Sequence, residues 1–171
     1  MATYNAWMND KVLEAAQRLT HDELVADRKA FFGSILATLN HLVTADTIWL
    51  KRFAKHPAGH SLLEPIRGLP APDTSDFLRF SDLESITNHR KWLDSIIVEW
   101  AQSVAEQDLD FVMHYTNSRG EEADKDFFGL VMHFFNHQTH HRGQVTTLLS
   151  QAGIDVGVTD LLALVPSRSG A

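Results

Sequence analysis

At 171 residues, 44% of them hydrophobic, the chain is long enough for one domain over residues 1–171, with a core that folds without covalent staples. Its 15 basic and 22 acidic side chains give a formal net charge of -7, which repels phosphate backbones and argues against a nucleic-acid partner. The absence of cysteine excludes disulfides, thiolate nucleophiles and sulfur-rich metal sites, so any metal must be held by nitrogen and oxygen.

The opening residues lack the basic start and apolar run of a secretory signal, and no stretch of about eighteen apolar residues follows. A cytoplasmic protein with no membrane partner is expected. Tyr4, Trp7, Met8, Val12, Ala15, Ala16 and Leu19 recur at spacings of three and four, which predicts a first helix from Tyr4 to Leu19. Thr20-His21-Asp22-Glu23 then offers a capping box for a short helical turn before Phe31. Ser34 caps a stronger pattern through Leu36, Leu39, Leu42, Val43, Ile48, Leu50 and Phe53, a second helix that carries His41. Between His56 and Ser75 fall Pro57, Pro65, Pro70 and Pro72 with Gly59 and Gly68, a density that excludes regular helix and predicts a long surface connection.

A third helix is expected from about Asp82 to about Gln107, burying Leu83, Ile86, Trp92, Leu93, Ile96, Ile97, Trp100 and Val104. Leu109 to Thr116 alternates in polarity and Asn117-Ser118-Arg119-Gly120 follows as a turn, so a small hairpin is expected next. Phe127 to Ala152 has helical spacing and is closed by Gly153, giving a fourth helix. Thr159-Asp160-Leu161-Leu162 supplies the cap of a short terminal helix. With no repeat of fixed period, the expected fold is all-α: a four-helix bundle with a long crossover loop and a small hairpin before the last long helix.

Ten histidines are present, four of them between His133 and His141. His137 and His141 lie four apart on one helical face, so their imidazoles can share an ion. His133 extends the series by a turn, but about 12 Å of helix rise separates it from His141, so His133–His137 and His137–His141 are competing pairs. His140 points about 100° away from His141, toward solvent or a neighbouring helix. Phe134, His137, His141, Val145 and Leu148 form one inward stripe, and a buried polar pair there requires partners that a metal would supply. His41 is in the same position on the stripe of Thr38, Leu42, Ala45 and Trp49, either as a third ligand or as a core histidine bonded to a carbonyl.

Asn40-His41-Leu42-Val43-Thr44-Ala45-Asp46, with His137-Gln138-Thr139-His140-His141-Arg142-Gly143-Gln144, resembles the DinB/YfiT-like family. The likeness runs from Tyr4-Asn5-Ala6-Trp7 to Thr159-Asp160-Leu161-Leu162 and includes the Tyr115-Thr116-Asn117-Ser118-Arg119-Gly120 turn. It implies a four-helix bundle, usually a homodimer, that binds one divalent ion through His41, His137 and His141, with His133 and His140 outside the ligand set. Zinc or nickel is expected first, and iron, manganese or copper suits imidazole as well.

Three neutral imidazoles leave coordination open to water, so chemistry at the ion is available. Asp46 and Gln144 are candidates to orient ligands or water, against the plainer readings of a helix-surface aspartate and a core-rim glutamine. Arg142 reads as an exposed arginine pairing with a neighbouring helix, or as a contact for an acidic substrate. Trp7, Trp49, Trp92 and Trp100 read as core, and the Phe31-Phe32 and Phe127-Phe128 pairs as packing at helix starts. Ser61, Ser81 and Ser167 lack a glycine elbow, which leaves a serine hydrolase without support. Similarity to thiol-dependent S-transferases suggests a metal-dependent transferase acting on a thiol and an electrophile, or a small hydrolase. The alternatives are a stress-associated metal-binding protein without a catalytic step, and a helical dimer whose histidines are satisfied by hydrogen bonds.

Overall fold

The computed structural model describes residues 1–59, 61–70, 72, 79–117 and 119–167. It is mostly helical, with one two-stranded sheet. Helix α1 spans Ala2–Ala16 and buries Met8, Val12, Leu13 and Ala16. It stops short of the expected Leu19 because the amides of Arg18 and Leu19 bond to the carbonyls of Ala15 and Ala16, a tighter turn that releases the chain into the next cap. Thr20 and Glu23 form the expected capping box on α2, His21–Val25. Ser34 accepts from the Ala37 amide to start α3, Ile35–Phe53, whose apolar face buries Ile35, Leu36, Leu39, Leu42, Val43, Leu50 and Phe53.

The proline-rich connection is not wholly irregular. A 3-10 turn at Ser61–Leu63 leads into a one-turn helix α4, Glu64–Arg67. Pro65 is tolerated there because it sits in the first turn, where its missing N–H has no helical partner to lose. Of the same predicted stretch, residues 60, 71 and 73–75 lie outside the described residues, as does Ser118 of the predicted turn.

Asp82 caps α5, Leu83–Ser103, by accepting from Ser85. This helix ends before Gln107 because Val104 takes extended backbone, and the Ala105 amide then bonds to Asp108 Oδ2 to begin a 3-10 stretch over Glu106–Asp110. Leu109 therefore precedes the sheet. Strand β1, Val112–Thr116, pairs antiparallel with β2, Glu122–Asp126, with Met113 opposite Lys125 and Tyr115 opposite Ala123. Helix α6 runs from Phe127 to Gln151. Gly153 at φ 80° ends it, its amide bonding to Ser150 O and that of Ile154 to Leu149 O, the double bond of a Schellman stop. The terminal element is a single 3-10 turn at Leu161–Leu164.

Helix α1 packs on α5 and α6, and α3 packs on the same two helices from the other side. Between them Trp100 stacks on Phe53 at 5.2 Å, ringed by Phe127 and Phe134, and all four are fully buried. Of the four tryptophans only Trp100 is wholly inside; Trp7, Trp49 and Trp92 are half-buried. The aromatic pairs at the helix starts also split: Phe127 is buried and Phe128 exposed, and Phe31 is 87% exposed beside a half-buried Phe32. Among the described residues no helix is long and apolar enough to cross a membrane.

Candidate metal centre

Helix α3 supplies His41, and α6 supplies His137 and His141, at the interface where these two helices pack. His41 Nε2 lies 3.3 Å from His137 Nε2 and 3.1 Å from His141 Nε2. Two nitrogens bound to one tetrahedral ion at about 2.0 Å are about 3.3 Å apart. Hydrogen bonding alone fits the trio poorly, because His41 Nε2 carries at most one hydrogen and faces two other ring nitrogens. The donor set therefore suits a cation better than it suits itself.

The electrostatics agree. Burial pushes His41 down to about 4 and His137 to about 3, with neighbouring histidines adding to both shifts. Burial also lowers His141, although Gln144 opposes it. All three rings thus stay neutral at pH 7, the state in which imidazole binds a metal. Gln144 Oε1 accepts from His141 Nδ1–H at 2.7 Å, which presents Nε2 as the free lone pair. Phe32 stacks on His41 at 4.1 Å and shields one face of the ring.

Of the two competing pairs, the structure brings His137 and His141 together with His41. His133 is exposed, its ring edge-on to Trp49 at 5.0 Å, and it stays outside the cluster. His140 is likewise exposed, as the 100° rotation requires, and lies beside Gln144.

Two expected participants face elsewhere. Asp46 is not a surface aspartate: at 1% exposed, it pairs with Arg90 of α5. Arg142, far from being exposed, is 2% accessible; it donates to Asn5 and, at 3.2 and 3.3 Å, to Asn9 and Gln138. Arg90 reaches Asp94 at 2.9 Å, and Asn9 donates to the same carboxylate at 3.0 Å. These residues make a buried polar layer that links α1, α3, α5 and α6. Burial draws Arg90 down, but Asp94 and Asp46 outweigh it and hold the guanidinium above its ordinary value. The layer was missed from sequence, yet it left a trace: Asn5/Asn9, Arg90/Asp94 and Gln138/Arg142 are polar pairs four apart inside apolar stripes of three helices.

On its open side His41 forms part of the wall of a cleft of about 1030 Å³ running along α3 past Ala45, Ile48 and Trp49 to Arg52 and Tyr115. A half-buried trio of neutral nitrogens, one of which lines a sizeable cavity, can polarise a bound group once an ion is held there.

The DinB family model matches residues 1–168. Protein DinB of Bacillus subtilis (strain 168) is 23% identical over 157 residues, covering 92% of this chain and 87% of that protein. No solved structure is significantly similar. Because the match spans both histidine-bearing helices and nearly every other element described, the chain belongs to the DinB family.

Proposed function

We propose that this DinB-family chain is a four-helix bundle that holds one divalent ion through His41, His137 and His141 and uses it on a small molecule in the adjoining cleft. The reaction is read as transfer of a low-molecular-weight thiol to an electrophile, with hydrolysis of a small electrophile as the neighbouring option. The observation that carries this is the position of His41, which belongs at once to the nitrogen cluster and to the cleft wall. A metal store without chemistry has no use for a cavity of that size at its ligand, which sets the stress-associated, non-catalytic reading second.

A bound zinc or nickel ion would supply Lewis acidity, lowering the pKa of a coordinated thiol or water. The chain's own residues do the rest. His41, His137 and His141 offer Nε2, Gln144 holds the His141 tautomer, and Phe32 keeps solvent off one face of His41. The packing of α1 and α3 on the same pair of helices supports the bundle reading. A homodimer is proposed with it. Exposed large apolar side chains, among them Phe128 and Met132 on α6 and Leu161, Leu162 and Val165 farther along the chain, offer a surface for it.

The test uses untagged protein. Elemental analysis should find about one ion per chain, and metal-loaded protein should turn over an electrophile with a thiol, or hydrolyse it, faster than His41→Ala. Less than about one ion per three chains would favour histidines satisfied by hydrogen bonds. Bound metal with turnover equal to that of His41→Ala would leave the non-catalytic reading.

A further inference from the structure

The cleft has a charge opposite to that of the molecule. Against a net charge of -7, the described residues of its lining include Lys51, Arg52, Lys55 and Arg67 and no carboxylate. Two of these cations are already engaged: Lys51 Nζ donates to the carbonyls of Arg67, at 3.0 Å, and of Leu69, and Arg67 pairs with Glu64 at 2.7 Å.

Arg52 is different. Its guanidinium lies 4.5 Å over the Trp49 ring and 4.7 Å from Tyr115, against the corner where these two rings meet edge to face. Among the described residues it donates one hydrogen bond, from Nη2 to Thr116 O at 3.0 Å, and has no carboxylate partner. Four of its five N–H donors are thus uncommitted on a half-buried, stacked group. Burial draws its pKa down, the mark of a cation short of counter-charge. A guanidinium fixed in orientation by stacking and supplied with spare donors matches a planar two-oxygen acceptor. The wall between Arg52 and His41 is Thr44, Ala45, Ile48 and the Trp49 face, apolar but for the Thr44 hydroxyl.

We propose that the cleft binds an elongated organic carboxylate, its anionic group read by Arg52 and its apolar body lying along α3 toward His41. Trp49 is two turns beyond His41, so the guanidinium above it stands about 12 Å along the helix from the histidine trio, which sets the length of the ligand. That the far end of the ligand is the reacting end rests on the metal-centre reading; the recognition by Arg52 does not.

The two parts are separated by working without metal. Decanoate, decanol and decylamine are titrated calorimetrically into full-length protein in the presence of EDTA. Decanoate is expected to bind at least tenfold more tightly than decanol, with decylamine weaker still. Arg52→Gln, checked for fold by circular dichroism, should reduce decanoate to the decanol level, and Arg52→Lys, which keeps charge but not the planar fork, should fall between. His41→Ala should leave the decanoate preference in place. Equal binding of decanoate and decanol to the unmodified protein overturns the proposal whether or not the variants fold. A preference that survives Arg52→Gln, or one that disappears in His41→Ala, overturns the assignment to Arg52. None of these outcomes bears on metal content, which elemental analysis decides separately.

Discussion

Arg90→Met is the sharpest test of the buried polar layer. Arg90 is 3% exposed and lies between Asp46 at 1% and Asp94 at 6%, so the substitution leaves two buried carboxylates without the cation they share. Removing one partner from such a group costs about 3–5 kcal/mol, because the charges left behind keep their desolvation penalty. For a chain of this size each kcal/mol lowers the melting temperature by about 2–4 °C, so a drop of about 6–20 °C is expected at pH 7. The pH dependence gives a second reading. Burial already pushes Asp46 up to about 7 against the pull of Arg90, and without the guanidinium it rises further. A carboxyl raised in the fold favours the native state while protonated and loses that advantage as pH climbs from its unfolded value toward its folded one. Relative to the parent, the deficit of Arg90→Met should therefore narrow between pH 7 and pH 5 in thermal unfolding followed by circular dichroism. A loss below about 1 kcal/mol, or a deficit that widens on acidification, would refute the assignment of these residues as a buried charge cluster.

Two further expectations concern the histidines. With metal removed by EDTA, the stability that His41 and His137 contribute should be full above pH 6.5 and fall as pH drops toward 4, because both stay neutral in the fold while the unfolded chain takes up protons. It is read as the difference between the parent and a His41→Ala, His137→Ala variant, in which the opposite contribution of Asp46 cancels. The slope is at most about 1.4 kcal/mol per pH unit for each proton, and less here since both rings are half-buried; a parent-minus-variant difference in urea stability that is flat over this range would contradict it. Gln144→Leu, which removes the acceptor for His141 Nδ1–H, should weaken zinc binding about tenfold or more in a competitive chelator titration. Unchanged affinity would show that the bond does not set the ligand tautomer.

What the sequence could and could not tell follows from the range of the interactions. Helix faces and stops are local, so the Ser34 cap, the Thr20-Glu23 box and the Gly153 stop were legible, as was the helical face that His137 and His141 share, although not which neighbour His137 would take. Placing His41 opposite them depended on family likeness, because periodicity alone allowed a core histidine bonded to a carbonyl. Arg142 and Asp46 were misjudged for the converse reason: a charged residue reads as exposed unless its partner is known, and their partners lie in other helices. The same applies to Phe31, whose apolar character said packing while its place at the cleft mouth leaves it in solvent. The short helix at Glu64–Arg67 was hidden by counting prolines without asking where in a turn each one falls.

The ribbon formed by β1 and β2 offers a practical handle. Met113 is its one buried side chain, whereas Tyr115 and the Thr116 carbonyl grip Arg52. Lengthening or redrawing the tip beyond Thr116 would leave the aromatic interior alone while reshaping the rim of the chamber. Engineers seeking altered molecular preferences could diversify those few loop positions before touching any helix.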